Sequence, residues 1–141
     1  MKTLCFILLS IVCLYGRAAA DHHMWPVYIF TEVTAAPGQY ADSVVAVPIP
    51  AGVHAIVGWQ LGGEFARAAK VRFLSYLSAD AYGIFALYSS REPGRWDTPV
   101  FTANHLNVSE ESVVNYTLRC HNEDVTPQTC RGGIMVYYNL Q

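Results

Sequence analysis

Between Val44 and Leu61 the chain reads Val-Val-Ala-Val-Pro-Ile-Pro-Ala-Gly-Val-His-Ala-Ile-Val-Gly-Trp-Gln-Leu. Two apolar runs rich in β-branched residues, Val44–Val47 and Val53–Val57, flank Pro48-Ile49-Pro50-Ala51-Gly52. Branching at Cβ stiffens χ1 and favours pleated chain, while each proline fixes φ and removes a backbone donor. The stretch therefore reads as strand, tight connection, strand.

The rest of the chain repeats this grammar. Val27–Val33 is apolar and β-prone, and Ala35-Ala36-Pro37-Gly38 breaks it. Val71, Phe73, Ser75 and Leu77 alternate with Arg72, Leu74 and Tyr76, and Val114, Tyr116, Leu118 and Cys120 alternate with Asn115, Thr117 and Arg119. A period of two predicts strands. Gly83–Tyr88, Pro99–Thr102 and Ile134–Leu140 supply further short segments. Gly62-Gly63 reads as the end of a strand and Arg131-Gly132-Gly133 as a turn. Glu64–Lys70 alone has helical composition, and it is short enough for a single turn or a loop. Short strands punctuated by turns, without a convincing helix, predict an all-β chain. The expected architecture is an antiparallel Greek-key β-sandwich of about seven strands.

Residues 1–20 carry Lys2, the apolar run Leu4–Leu14 and Ala18-Ala19-Ala20, the pattern of a secretory signal peptide. The run is shorter than the roughly 20 apolar residues of a membrane span. The expectation is a secreted, extracellular domain over residues 21–141 without membrane insertion. Without Lys2 and Arg17, seven basic residues face eleven acidic ones, and a weakly acidic surface argues against nucleic acid. Of four cysteines, Cys5 and Cys13 leave with the signal peptide. Cys120 and Cys130 are expected to pair, as two cysteines in an oxidising compartment most simply do, stapling the hairpin of the last two strands.

Asn107-Val108-Ser109 and Asn115-Tyr116-Thr117 are sequons for N-glycosylation. Cleavage after Ala20 would expose Asp21-His22-His23, whose α-amine, amide nitrogens and His23 imidazole make a square-planar set suited to Cu(II), with His22 beside it. The plainer reading is an exposed terminus without a role. His54, His105 and His121 lack a neighbouring metal-ligand pair, and Ser, His and Asp occur without a nucleophile-elbow signature. No enzymatic activity and no cofactor are expected. Trp59, Trp96, Tyr76, Tyr82 and Tyr88 either line a sugar- or lipid-binding face or fill the core.

The order Ala46, Gly52, Ala55, Val57, Trp59 and Leu61 resembles the second strand, loop and third strand of a cadherin repeat. Tyr116–Asp124 is similar to that family's penultimate strand, Leu106–Glu110 to its Leu-Asp-x-Glu patch, and Ala36-Pro37-Gly38 to the break after its first strand. The resemblance implies a solitary cadherin/immunoglobulin-like sandwich that acts by contact with an extracellular protein partner or by self-association. Pro48 and Pro50 stand where the family places calcium-binding acids, so calcium binding is not expected. Trp25, followed at seven residues by Glu32, is similar to the tryptophan and glutamate of cadherins that exchange their first strand. The alternative is a carbohydrate- or small-ligand-binding, lectin-like domain. An apolar aromatic pocket would favour this alternative, and a flat exposed edge with an exposed tryptophan would favour protein contact.

Overall fold

The computed structural model describes residues 24–140. The signal peptide at 1–20 and the His22, His23 copper site lie outside the described residues. Nine strands follow one another: β1 (Met24–Ala35), β2 (Tyr40–Ala46), β3 (Val53–Glu64), β4 (Val71–Ala79), β5 (Gly83–Ser90), β6 (Arg95–Trp96), β7 (Val100–Asn107), β8 (Val114–Asn122) and β9 (Gln128–Leu140). One sheet runs β1-β9-β3, with β6 and β7 both pairing the far side of β3; the other runs β2-β8-β4-β5. Every pairing is antiparallel. The antiparallel Greek-key sandwich expected from the sequence is what forms, with nine strands in place of about seven.

With β6 set aside, the orders β1-β9-β3-β7 and β2-β8-β4-β5 are those of a jelly roll, two Greek keys wrapped into facing sheets. Among the described residues only β4 and β5 are consecutive strands that pair. The segment around Pro48 and Pro50 is accordingly no hairpin: β2 pairs β8, whereas β3 pairs β9, β6 and β7. Pro48 and Pro50 have no N–H for a ladder, and their segment crosses from one sheet to the other. The Tyr138 hydroxyl anchors it by donating to the Pro48 carbonyl at 2.6 Å. Ala66–Ala69 is a turn closed by the Ala69 N–H on the Ala66 carbonyl at 2.9 Å.

Alternation decides which residues fill the space between the sheets. Val71, Phe73, Ser75, Leu77 and Ala79 of β4 are all buried, as are Val114, Tyr116, Leu118 and Cys120 of β8. From the other sheet come Ile29, Ile56, Leu61, Ile134, Val136 and Tyr138. Burying large apolar side chains of this kind contributes about 1.5–3 kcal/mol each, and the ordering of the chain offsets most of the total. The core also holds polar groups, each partnered. Ser75 and Tyr116 share a hydrogen bond of 2.8 Å, and the Ser75 hydroxyl lies 3.3 Å from the Gly62 carbonyl it donates to. Asn122 donates to the Ala35 and Thr126 carbonyls at 3.0 and 2.8 Å, fixing the turn after β8.

Cys120 and Cys130 do not flank a hairpin either. They sit on β8 and β9, strands of opposite sheets, both fully buried and both as thiols.

Candidate functional site

Gly62, Gly63, Gly132 and Gly133 are neither a strand end nor a turn. Gly62 pairs with Gly133 and Gly63 with Gly132, in the middle of the five-stranded sheet. A glycine inside a strand weakens it and is expected where another group must approach the backbone closely. Here the approach comes from both faces. On the outer face, a Cβ on Gly62 would lie 2.4 Å from Trp96 Cδ2, and one on Gly133 would lie 2.7 Å from Phe30 Cδ1. On the inner face, a Cβ on Gly132 would meet Leu118 Cδ1 at 2.5 Å and the Tyr116 hydroxyl at 2.8 Å.

The outer pair of glycines makes room for two rings. Phe30 of β1 lies over Gly133 and Trp96 of β6 over Gly62, and the two rings meet edge to face with centroids 6.3 Å apart. Phe30 is 69% exposed and Trp96 41%, unusual for rings of this size on a sheet. The trough they border has a volume of about 400 Å³ and continues past Thr31 to Glu32, Glu64, Arg131 and Gly132. That volume lies in the range of small-ligand sites.

Its polar end is built by register. Glu32 of β1, Arg131 of β9 and Glu64 of β3 stand side by side across three strands. Arg131 Nε donates to Glu32 Oε2 at 3.2 Å, an exposed pair of little worth to stability. Carboxylate acceptors and guanidinium donors thus sit within one side chain's reach of two aromatic walls.

Asp97 holds the Trp96 wall in place. The Leu61 N–H donates to Asp97 Oδ1 at 2.5 Å, the Asp97 N–H returns to the Leu61 carbonyl at 2.9 Å, and Gln60 Nε2 donates to the Asp97 carbonyl at 2.9 Å. Burial raises the Asp97 carboxyl above its ordinary value, and the bond from Leu61 works against that rise. A two-residue strand could not stay ordered by its ladder alone. The carboxylate clamp supplies what β6 lacks.

Beyond the trough the outer face remains aromatic. Tyr28 lies one pleat along β1 from Phe30, and Phe101 packs on Tyr137 at 4.9 Å between centroids. Of the aromatics that the sequence singled out, Trp96 belongs to this face. Trp59 and Tyr88 are half-buried against Phe85 and Phe73 respectively, and Tyr82 is exposed beside the β4–β5 turn. Tyr76 stands on β4 opposite Leu87 and Thr117.

The remaining expected site residues scatter. The Trp25 backbone lies in β1 opposite Tyr138, and its indole is outside the described side chains; Glu32, paired with it in the sequence reading, is a trough residue instead. Asn107 is exposed at the end of β7, while Asn115 is half-buried in β8 between Ala46 and Ser78, with Thr117 of its sequon buried. Among the described residues no cluster of three or more His, Cys, Asp or Glu is placed to hold a metal. Sequence reasoning missed Phe30, Glu64 and Arg131. The signal that could have found them was the two Gly-Gly pairs inside β-prone runs.

Fold and site together define a jelly-roll domain with an aromatic trough on the outer face of one sheet. No family model matches the chain, and no curated protein matches it. Among solved structures the chain is similar to the capsid of cyanophage Pam1, with 14% identity and a TM-score of 0.52 over 84% of this chain and 86% of that one. It is also similar to the infectious bursal disease virus VP2 subviral particle, with 12% identity and a TM-score of 0.46 over 82% of this chain and 33% of that one. A Yersinia pseudotuberculosis-derived mitogen matches with 7% identity and a TM-score of 0.43 over 82% of this chain and 87% of that one. The chain thus spans about a third of the VP2 chain. At such identities the likeness concerns the fold alone, and none of the three is a cadherin.

Proposed function

We propose that this chain is a secreted, extracellular recognition domain that binds a carbohydrate in the trough that runs from Phe30 and Trp96 to Glu32, Arg131 and Glu64. The observation that carries the reading is the concave site of about 400 Å³ lined by Phe30, Trp96, Glu32, Arg131 and Glu64, its two rings seated on Gly133 and Gly62, which have no side chain to displace them. A pyranose presents an apolar C–H face and a rim of hydroxyls. Aromatic walls suit the first, and an adjoining set of charged donors and acceptors suits the second. The action is binding, without catalysis and without a cofactor. Secretion rests on the leader pattern of residues 1–20, and the route it implies makes Asn107 a glycosylation site.

The test is a glycan array probed with the secreted protein and with Trp96→Ala, followed by calorimetry on any glycan retained. Trp96 lies at the surface, and circular dichroism checks that its variant stays folded. The expected result is a glycan bound by the wild type and lost on Trp96→Ala. An array that captures nothing, or a variant that binds equally well, overturns the reading.

A second reading has its own observation. Tyr28 and Phe101 extend the exposed apolar face well beyond the trough, and such faces mark protein contacts. In that case the domain is an adhesion-type module with an extracellular protein partner or a second copy of itself. Loss of the contact on Tyr28→Ala and Phe101→Ala, with glycan binding unchanged, would separate this reading from the first.

A further inference from the structure

Cys120 and Cys130 occupy one place between the two sheets. Cys120 lies on the central strand β8, opposite Ala41 on one side and Phe73 on the other. Cys130 lies on β9, opposite Val33 and one residue before Arg131 of the trough. Both are fully buried, and Cys120 Sγ reaches the β9 backbone, donating to the Gln128 carbonyl at 3.8 Å two residues before Cys130. The turn between them has little freedom to part them. Besides the Asn122 side-chain bonds already described, the Asp124 N–H donates to Asn122 Oδ1 at 2.8 Å, the Glu123 N–H to the Lys70 carbonyl at 2.8 Å, and the Asn122 N–H to the Gln39 carbonyl at 2.9 Å.

We propose that Cys120 and Cys130 close into a buried disulfide that clasps the two sheets together and fixes the end of β9 from which Arg131 projects. This is a clasp between layers and not a hairpin staple, so reducing it loosens the sandwich itself. It is independent of what the trough binds.

Before the sandwich has fully closed, the thiolate of one cysteine, Cys120 for example, attacks one sulfur of an external disulfide, either an oxidised protein dithiol of the secretory compartment or oxidised glutathione. An S–S bond forms at Cys120 and the other sulfur of the donor leaves as a thiolate. Cys130, deprotonated in turn, attacks Cys120 of the mixed disulfide and expels the donor's second thiolate. The two cysteines lose two electrons and two protons, and the donor gains them. Once closed, the bond lies in the core, out of reach of small reductants.

The experiment uses protein secreted by eukaryotic cells, digested without reduction and mapped by mass spectrometry. The expected result is one cross-linked peptide pair containing Cys120 and Cys130, two hydrogens lighter than the separate peptides. In the folded protein it should resist dithiothreitol and in denaturant yield to it. Reduction and alkylation should lower the melting temperature by roughly 10 °C. If both cysteines take up iodoacetamide quantitatively in denaturant without prior reduction, the proposal fails. It fails equally if either is found bonded to a second chain or to a small thiol.

Discussion

Gly132 and Gly62 lie one register step apart on neighbouring strands and face opposite sides of the sheet. Replacing each by alanine adds the same methyl group to two different surroundings. At Gly132 the new Cβ meets Leu118 Cδ1 at 2.5 Å, the Tyr116 hydroxyl at 2.8 Å and the Gly62 carbonyl at 3.0 Å, and both Leu118 and Tyr116 are fully buried. Overpacking of this kind costs about 1–3 kcal/mol. If the phenol moves aside, its bond to Ser75 is also lost, for about 0.5–1.5 kcal/mol. Alanine's smaller unfolded-state entropy returns about 0.4–1 kcal/mol. The net expectation for Gly132→Ala is a loss of about 2 kcal/mol, or roughly 8 °C in melting temperature for a domain of this length. At Gly62 the clash is with the Trp96 ring, which is exposed and can swing outward. Gly62→Ala should therefore cost under about 1 kcal/mol while making the indole more accessible. Urea denaturation gives the first quantity, and acrylamide quenching of tryptophan emission compared with Trp96→Phe gives the second. A Gly132→Ala protein within about 0.5 kcal/mol of wild type, or a Gly62→Ala protein as damaged as Gly132→Ala, would refute the two-faced role of these glycines.

Other expectations follow from single groups. Burial raises the Tyr116 and Tyr138 phenols above their ordinary range, so their stabilising contribution is complete below about pH 10 and declines as pH rises through it. The urea midpoint should drop between about pH 9 and about pH 11, and less so in Tyr116→Phe; an unchanged midpoint contradicts the burial of these groups. Arg119 grips both carboxylate oxygens of Asp42 at 2.7 and 2.6 Å and lies 4.9 Å from the centre of the Tyr40 ring. Because the pair is partly exposed, Asp42→Ala should cost about 0.5–1 kcal/mol, less in high salt, and a salt-independent loss would point to packing instead. Secreted protein treated with an amidase that removes N-glycans should lose mass at Asn107, and Asn107→Gln should abolish most of the shift. A shift carried by Asn115 alone would invert the accessibility ranking of the two sequons.

What the sequence showed of this fold depended on how each strand is covered. β4 and β8 have one buried face and one partly wet face, so Val71, Phe73, Ser75 and Leu77, or Val114, Tyr116 and Leu118, print the period of two directly onto the sequence. Pairing left no such print. β2 and β3 are adjacent in the chain and lie in different sheets, because a jelly roll pairs strands far apart in sequence and hydropathy carries no partner label. β6 escaped notice for a further reason: two residues held by Asp97 have no periodicity to display.

The trough was hidden by the ambiguity of glycine. Gly62-Gly63 and Gly132-Gly133 read as punctuation because glycine most often ends a strand or makes a turn through its freedom at positive φ. Among the described glycines that conformation belongs to Gly38, Gly52, Gly83 and Gly94, all outside strand interiors. The four paired glycines are there for the hydrogen atom in place of Cβ. Two of them admit Trp96 and Phe30 on the outer face, and the other two admit Phe73 and Tyr116 on the inner one. A pair of Gly-Gly steps inside otherwise β-branched runs is thus the place where this sheet is thinnest. On the outer face the two rings take the space that a Cβ would hold, and the concavity lies beside them, toward Glu32, Arg131 and Glu64.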